Sequence, residues 1–263
     1  MNNDSSSVKN KNKGSTPLHL VQIRERCHQT LIQSKVMVYH HLFSCLKIMT
    51  QLPRCPLCLT DTPAEHYHQD RKREYLQCPR CHLVYVHPSN LPSKDVEKLE
   101  YSLHENSADD EGYVRFLSRL LHPLLPYLSK QVSVIDFGCG PEPVLAQLME
   151  QKGAEVALYD PFFANQPENL TRQYHIITCT EAIEHFHQPH KEWALWLKML
   201  KPNGMLAIMT KRVIDKTRFA QWHYKNDPTH VSFFSEVTFT YLAEQHGFIV
   251  EFPSNDVVFM KKV

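Results

Sequence analysis

Four cysteines and a set of acidic and imidazole side chains are the residues of this sequence whose types and spacing could do chemistry. Cys55-Pro-Leu-Cys58 and Cys78-Pro-Arg-Cys81 are two C-x-x-C turns separated by nineteen residues, the spacing with which four thiolates close on one zinc ion. A site made wholly of thiolates has no open coordination position, so the metal expected here is structural. His66, His68 and His82 lie nearby and read as solvated loop residues rather than ligands. The second group begins with VIDFGCGPEPV at 134–144, an apolar strand ending in Asp136, then Phe-Gly-Cys-Gly, then a helix. Gly138 and Gly140 would let the backbone approach a ligand at the helix N-terminus. Asp160 follows twenty-four residues after Asp136, where a carboxylate can take both ribose hydroxyls. Glu142, expected in the first turn of the helix, would repel a pyrophosphate there, so a cofactor without phosphates fits better.

Candidates for proton transfer come from two further stretches. His185 in EAIEHF and His230 in DPTHVSFF follow the C-terminal ends of expected strands, which is where ligands bind in open α/β sheets. Histidine is also the side chain best tuned near pH 7. His185 reads equally as a packing or capping residue. Trp222, His223, Tyr224, Asp227 and His230 gather in one loop that reads as a substrate lid, or else as a surface loop anchored by a buried Trp222. Trp193 and Trp196 read as core, and Cys139 and Cys179 as small buried hydrophobes by packing.

These residues need elements to position them. From Leu52 to Pro88 the chain is short of long periodic segments and dense in Cys, Pro and His, as a zinc ribbon spanning about 49–90 would be. Ser93 caps an expected helix, and Val114, Leu117, Leu120, Leu121 and Leu124 recur near helical spacing up to Pro123 and Pro126. Strands are expected at 132–136, 155–160, 174–180 and 204–210, and helices at 143–153, capped by Gly153, at 188–200, closed by the turn KPNG, and at 235–247. FIVEF and DVVFMKK make a last pair of strands. Alternating strand and helix predicts an α/β, doubly wound Rossmann-like sheet from 132 to 263, with an antiparallel C-terminal edge hairpin and connecting helices at 91–131.

Composition narrows the class. The formal net charge is +1 over 263 residues, yet the first 48 hold seven Lys/Arg and two Asp/Glu, leaving the remainder at about −4. A broad electrostatic footprint for nucleic acid is therefore missing. Residues 1–17 are too polar to order themselves, and 1–48 read either as a weakly ordered extension or as an over-extended start ahead of Met49. The N-terminus lacks the apolar segment of a signal peptide and no run of 18 apolar residues occurs, which predicts a soluble, cytoplasmic protein with reduced thiols.

The set DFGCGP, LYDPFF, ITCTEAIEHF, LKPNGMLAIMT and DPTHVSFF resembles the seven-stranded class I S-adenosylmethionine-dependent methyltransferases, in a branch with an N-terminal four-cysteine zinc ribbon. The resemblance covers residues 52–263. It implies that Asp136, Gly138, Cys139 and Gly140 line the methionine end of the cofactor, that Asp160 binds its ribose, and that Phe162 lies near its adenine. Thr180 and Glu181 would face the methyl group, with Glu181, His185 and His230 as candidate catalytic residues. Two departures stand out. Glu142 replaces the last glycine of the usual GCGPGP, and Pro161 to Arg172 is too short for the usual third strand and its helix.

Implied is methyl transfer to a small-molecule, sugar or lipid-linked acceptor, with zinc holding the ribbon near the substrate entrance. One alternative is an RNA methyltransferase whose ribbon offers Arg54, Arg71, Lys72, Arg73 and Arg80, charges nearly offset by Asp61, Glu65, Asp70 and Glu74. Another is a non-catalytic adaptor with a decayed cofactor loop.

Overall fold

The computed structural model describes residues 53–102 and 109–263. The expected N-terminal extension, with Cys27, Cys45 and Met49, lies outside the described residues.

The cysteine-rich segment folds as a three-stranded antiparallel meander, β1 (Glu65–Gln69), β2 (Glu74–Gln77) and β3 (Val84–Val86). Asp70 turns β1 into β2 by accepting from the Lys72 and Arg73 amides, both at 2.8 Å, the Asx geometry that makes aspartate a turn former. Next come α1 (Lys94–Ser102), with the Ser93 hydroxyl 3.4 Å from the Val96 amide, and α2 (Glu111–Leu124). Asp110 caps α2 through the Gly112 and Tyr113 amides, and Pro123 falls in its last turn.

The remainder alternates as expected: β4 (Ser133–Phe137), α3 (Val144–Glu150), β5 (Glu155–Tyr159), β6 (Tyr174–Thr180), α4 (Pro189–Met199), β7 (Leu200–Met209), α5 (Lys216–Ala220), β8 (Ser232–Phe233), α6 (Glu236–His246), β9 (Phe248–Glu251) and β10 (Val257–Lys262). The main sheet runs β5-β4-β6-β7-β10-β9, parallel through β7 and antiparallel after it. Its pleat sorts side chains between two cores. Val134, Ile176, Ala207 and Phe259 join the leucines of α2 and Val144, Leu145 and Met149 of α3. Ile135, Ile177, Ile208 and Val258 join Trp193 and Trp196 of α4 with Phe239 and Leu242 of α6. Helices on both faces make the sheet doubly wound.

As the shortness of residues 161–172 implied, no strand stands between β5 and β6 in the chain; residues 167–171 form a 3₁₀ turn, and Asn169 Nδ2 covers the exposed edge by donating to the Leu158 carbonyl at 3.0 Å. Several other expectations are corrected. KPNG does not stand between helix and strand but is absorbed into β7, where Leu200 pairs with Tyr174 and Met205 with Ile176. Asn203, at φ 56°, takes the left-handed conformation that such a bulge requires. Helix α3 stops at Glu150 with Gln151 as its cap, and Gly153, at φ 92°, serves the turn into β5 instead. The C-terminal pair is antiparallel, but β10 lies inside the sheet and only β9 is at the edge. The ribbon sheet is also not self-contained: β8 pairs with β3, Val84 opposite Phe233 and Tyr85 opposite Ser232.

Candidate active site

Strand β4 ends beneath a turn built by two glycines. Gly138, at φ 78°, donates its amide to the Tyr159 carbonyl at 2.7 Å, and a Cβ there would come 2.6 Å from Ala182 Cβ. Its lack of a side chain is therefore a matter of packing. Gly140 differs: at φ 68°, a Cβ would meet nothing within 4 Å, so it faces open space of the kind a bound group fills. Asp136 is buried and accepts from the Thr178 hydroxyl at 2.8 Å; burial pushes its carboxyl up to about 6 against that hydrogen bond. Cys139 lies beside the turn, and burial raises its thiol to about 12, the state of an inert thiol. Cys179, wholly buried, is likewise raised well above the usual thiol range by burial.

Asp160 closes the turn from β5. Its Oδ1 accepts from the Phe162 and Phe163 amides at 2.8 and 3.1 Å, and its Oδ2 from the Gly140 amide at 3.1 Å. A carboxylate offers about four lone-pair sites. These bonds leave room for one ribose hydroxyl on Oδ2, so the expected bidentate contact would have to displace a loop bond. Phe162 and Phe163 are each about two-fifths exposed, and Phe162 stands 5.4 Å from the Tyr101 ring. Glu142 is exposed and lies before α3 rather than in its first turn, because Pro143, at ψ 59°, is not helical.

At the end of β6 the chain turns abruptly. Glu181 takes φ 46°, rare for a residue with a Cβ, while its amide donates to the Met209 carbonyl at 2.8 Å. Thr180 Oγ1 and Glu181 Oε1 are buried with no hydrogen-bond partner among the described residues. Orphaned buried polar atoms at a cavity wall are what a missing ligand would satisfy. Glu184 is 1 % exposed and accepts from the Thr210 hydroxyl at 3.0 Å and from the Tyr224 hydroxyl. The same Tyr224 hydroxyl lies 3.3 Å from Glu181 Oε2. Burial raises Glu181 to about 8, helped by the neighbouring Glu184 and opposed by Lys211, and raises Glu184 to about 7 against its two hydroxyl donors.

His185 and His230 meet ring to ring at 4.7 Å. His185 Nδ1 lies 3.2 Å from the Thr229 carbonyl and His230 Nδ1 lies 2.7 Å from the Tyr224 carbonyl. Burial, together with His185, pushes His230 down to about 3, so its ring is neutral at pH 7. One cavity of about 900 Å³ joins the two ends: Gly138, Gly140, Asp160 and Phe162 line it, as do Thr180, Glu181, His185 and His230. Thus every residue expected around the cofactor and the chemical step reaches one space. Sequence reasoning did not single out Glu184, Thr210 or Tyr101. Glu184 carried a signal, a carboxylate between Ile183 and Phe186, because a charge in a buried apolar run needs a reason.

The four ribbon cysteines also converge. One Sγ from each of Cys55, Cys58, Cys78 and Cys81 lies within 4.8 Å of the others, with 3.5 Å between Cys55 and Cys81 and between Cys58 and Cys78. The two turns repeat one geometry: the Leu59 amide returns to the Cys55 carbonyl at 3.1 Å and the His82 amide to the Cys78 carbonyl at 3.0 Å. Leu59 and His82 both sit at positive φ. The donor set and spacing fit one tetrahedral zinc. His66 and His82 are exposed.

From the ribbon, Arg73 reaches the DPTH loop. Its guanidinium donates to the carbonyls of Pro228 at 3.2 Å, His230 at 3.0 Å and Lys225. Arg73 is 8 % exposed, so it is removed from the basic patch on which the RNA reading drew. Arg54 is paired with Asp61, and Arg80 lies over the Tyr241 ring. The loop is anchored by buried Tyr224 and Lys225, while Trp222 is only partly buried. No described helix is long and apolar enough to cross a membrane.

Residues 109–251, more than half of the chain, match the family profile described as methyltransferase domain. The chain belongs to that family, and its Rossmann-like sheet makes it a class I S-adenosylmethionine-dependent methyltransferase. Among solved structures, it is similar to magnesium protoporphyrin IX methyltransferase from Synechocystis PCC 6803 with bound S-adenosylmethionine, at 12 % identity over 65 % of this chain and 92 % of that one, TM-score 0.42. It is also similar to an O-methyltransferase family protein from Burkholderia thailandensis, at 12 % identity over 63 % of this chain and 62 % of that one, TM-score 0.45. No curated protein matches the sequence.

Proposed function

We propose that the protein methylates a small-molecule, sugar or lipid-linked acceptor bound beside S-adenosylmethionine in the cavity of about 900 Å³. The observation that carries this reading is the continuity of that cavity, from the glycine turn and Asp160 to Glu181, His185 and His230. Asp136, Gly138, Cys139 and Gly140 would hold the methionine end, Asp160 one ribose hydroxyl, and Phe162 the adenine face; Thr180 would offer its unpartnered hydroxyl. When bound, the cofactor supplies a sulfonium-activated methyl group, so that a bond from the acceptor atom to carbon forms as the sulfur–carbon bond breaks. The chain's own part is to orient the acceptor and take its proton, a role for the Glu181, His185 and His230 group. Zinc on Cys55, Cys58, Cys78 and Cys81 would keep the ribbon folded, and through Arg73 the ribbon would hold the loop carrying His230.

Calorimetric titration of S-adenosylmethionine and S-adenosylhomocysteine into the zinc-loaded chain tests the reading. Micromolar binding, weakened at least ~10-fold by Asp160→Asn, is expected. That substitution turns an amide donor toward the Gly140 amide. Absence of binding by the folded, zinc-replete protein would overturn it.

A further inference from the structure

One carboxylate and two imidazoles converge beside the end of the cavity that Glu181, His185 and His230 line. A carboxylate oxygen of Glu184 and a ring nitrogen from each of His185 and His230 all lie within 4.8 Å of one another. Glu181 shares the Tyr224 hydroxyl with Glu184 and keeps its Oε1 buried without a hydrogen-bond partner among the described residues. Neither carboxylate forms an ion pair among the described residues; the pair at this site joins His230 Nε2 to Asp227 Oδ2 at 3.7 Å. Buried carboxylates are ordinarily paired with a cation or bound to a metal.

We propose that Glu184, His185 and His230, completed by Glu181, bind a divalent cation of the manganese class. Donors about 2.1 Å from one ion stand roughly 3 to 4 Å apart, so a group already within 4.8 Å needs only a small closure. Each ring is oriented as a ligand histidine is, through Nδ1 and a backbone carbonyl, which would give the ligand role to Nε2; in His230 that nitrogen faces Asp227 Oδ2 at 3.7 Å, a contact the cation would replace or share. Glu184 is steadied by the Thr210 and Tyr224 hydroxyls, with lone pairs to spare. Carboxylate and imidazole together suit manganese or iron rather than the thiolate-seeking ions.

Four protein donors leave two positions of an octahedron facing the cavity. Resting on the proposed function, this deepens it and replaces its proton acceptor: the acceptor would present two adjacent oxygens, as a vicinal diol or a hydroxy-carbonyl compound does, and the cation, whose ligands are then no longer free to take a proton, would favour loss to solvent of the proton from the oxygen that receives the methyl group. The cation site itself does not depend on that reading.

The test adds Mn²⁺ to the zinc-loaded full chain and follows free Mn²⁺ by electron paramagnetic resonance. One ion per chain beyond the zinc is expected, with affinity at least ~10-fold weaker in Glu184→Gln and in His230→Ala. Zinc content and S-adenosylhomocysteine binding, which should not change, report that the variants are folded. If Glu184→Gln does not fold, His185→Ala, at a partly exposed position, carries the same comparison. No bound Mn²⁺, or equal binding by the variants, overturns the proposal. Bound Mn²⁺ in a chain that does not bind S-adenosylhomocysteine supports the site and overturns the acceptor assignment.

Discussion

Arg73 and His230 are joined across 157 residues of sequence by a buried hydrogen bond, Arg73 Nη1 to the His230 carbonyl at 3.0 Å. The same guanidinium serves the carbonyls of Lys225 and Pro228. A ribbon residue thereby fixes the backbone from which Tyr224, Asp227 and His230 project. Arg73→Met should destabilise the protein by about 3 kcal/mol, because three carbonyls, those of Lys225 and His230 in buried bonds, lose their donor. Methyl transfer should fall further than stability alone explains, while S-adenosylhomocysteine affinity, which depends on the other end of the cavity, stays within a few-fold. Urea unfolding and calorimetry on one preparation separate these effects. Equal loss at both ends would mean that the loop is not specifically held.

Zinc removal should act through the same connection. Cys81→Ser, or a strong chelator, is expected to release one zinc and to cost at least ~2 kcal/mol of stability. Trp222, between Phe219 and Tyr224, should report loosening of the loop in its fluorescence. Loss of zinc with an unchanged Trp222 spectrum would refute the coupling.

The two glycines of the cofactor turn should fail differently. Gly138→Ala puts a Cβ 2.6 Å from Ala182 Cβ and should cost about 2 kcal/mol or more, as overpacking does. Gly140→Ala meets no neighbour and should cost only the ~1 kcal/mol of a positive φ, yet it places a methyl group in the proposed cofactor space and should weaken S-adenosylmethionine binding. Denaturation and titration of both variants check the reversal, and Ala182→Gly should partly rescue Gly138→Ala.

Glu181 holds a positive φ and an unpartnered buried oxygen, strain of the kind kept at functional sites. Glu181→Gly should therefore raise the unfolding free energy of the apo protein by about 1 kcal/mol while abolishing methyl transfer. A thermal scan beside an activity assay would show it; a destabilised, active variant would contradict it.

The pH dependence of stability carries the sign of the Asp136 shift. Its folded-state value of about 6 exceeds that of the unfolded chain, near 4. Between about pH 4 and pH 6 the folded state therefore binds more protons, and stability falls as pH rises, by about 3 kcal/mol in all, levelling above that window. Asp136→Asn should remove this part, seen as the difference between variant and wild-type unfolding free energies at pH 4.5 and pH 7. A constant difference would place the ionised carboxylate in a more favourable environment than burial allows.

What local spacing encodes, the sequence carried by itself. The cysteine turns, the β-branched strands, the cap at Ser93, the cap of α6 at Ser235, whose hydroxyl accepts from the Thr238 amide at 3.1 Å, and the turn from Asp136 to Gly140 are all relations between residues within a few positions of one another. The absence of a third strand was legible too, because residues 161–172 are too few to hold it. The tertiary structure alone decided which distant groups meet. Arg73 reads as a surface charge until the DPTH loop folds over it, β8 is too short to declare its pairing with β3, and Glu184 sits in a motif whose depth only packing reveals. Backbone carbonyls and buried carboxylates recruit partners by position in space. Those positions follow from the closing of the two cores, which no local spacing specifies.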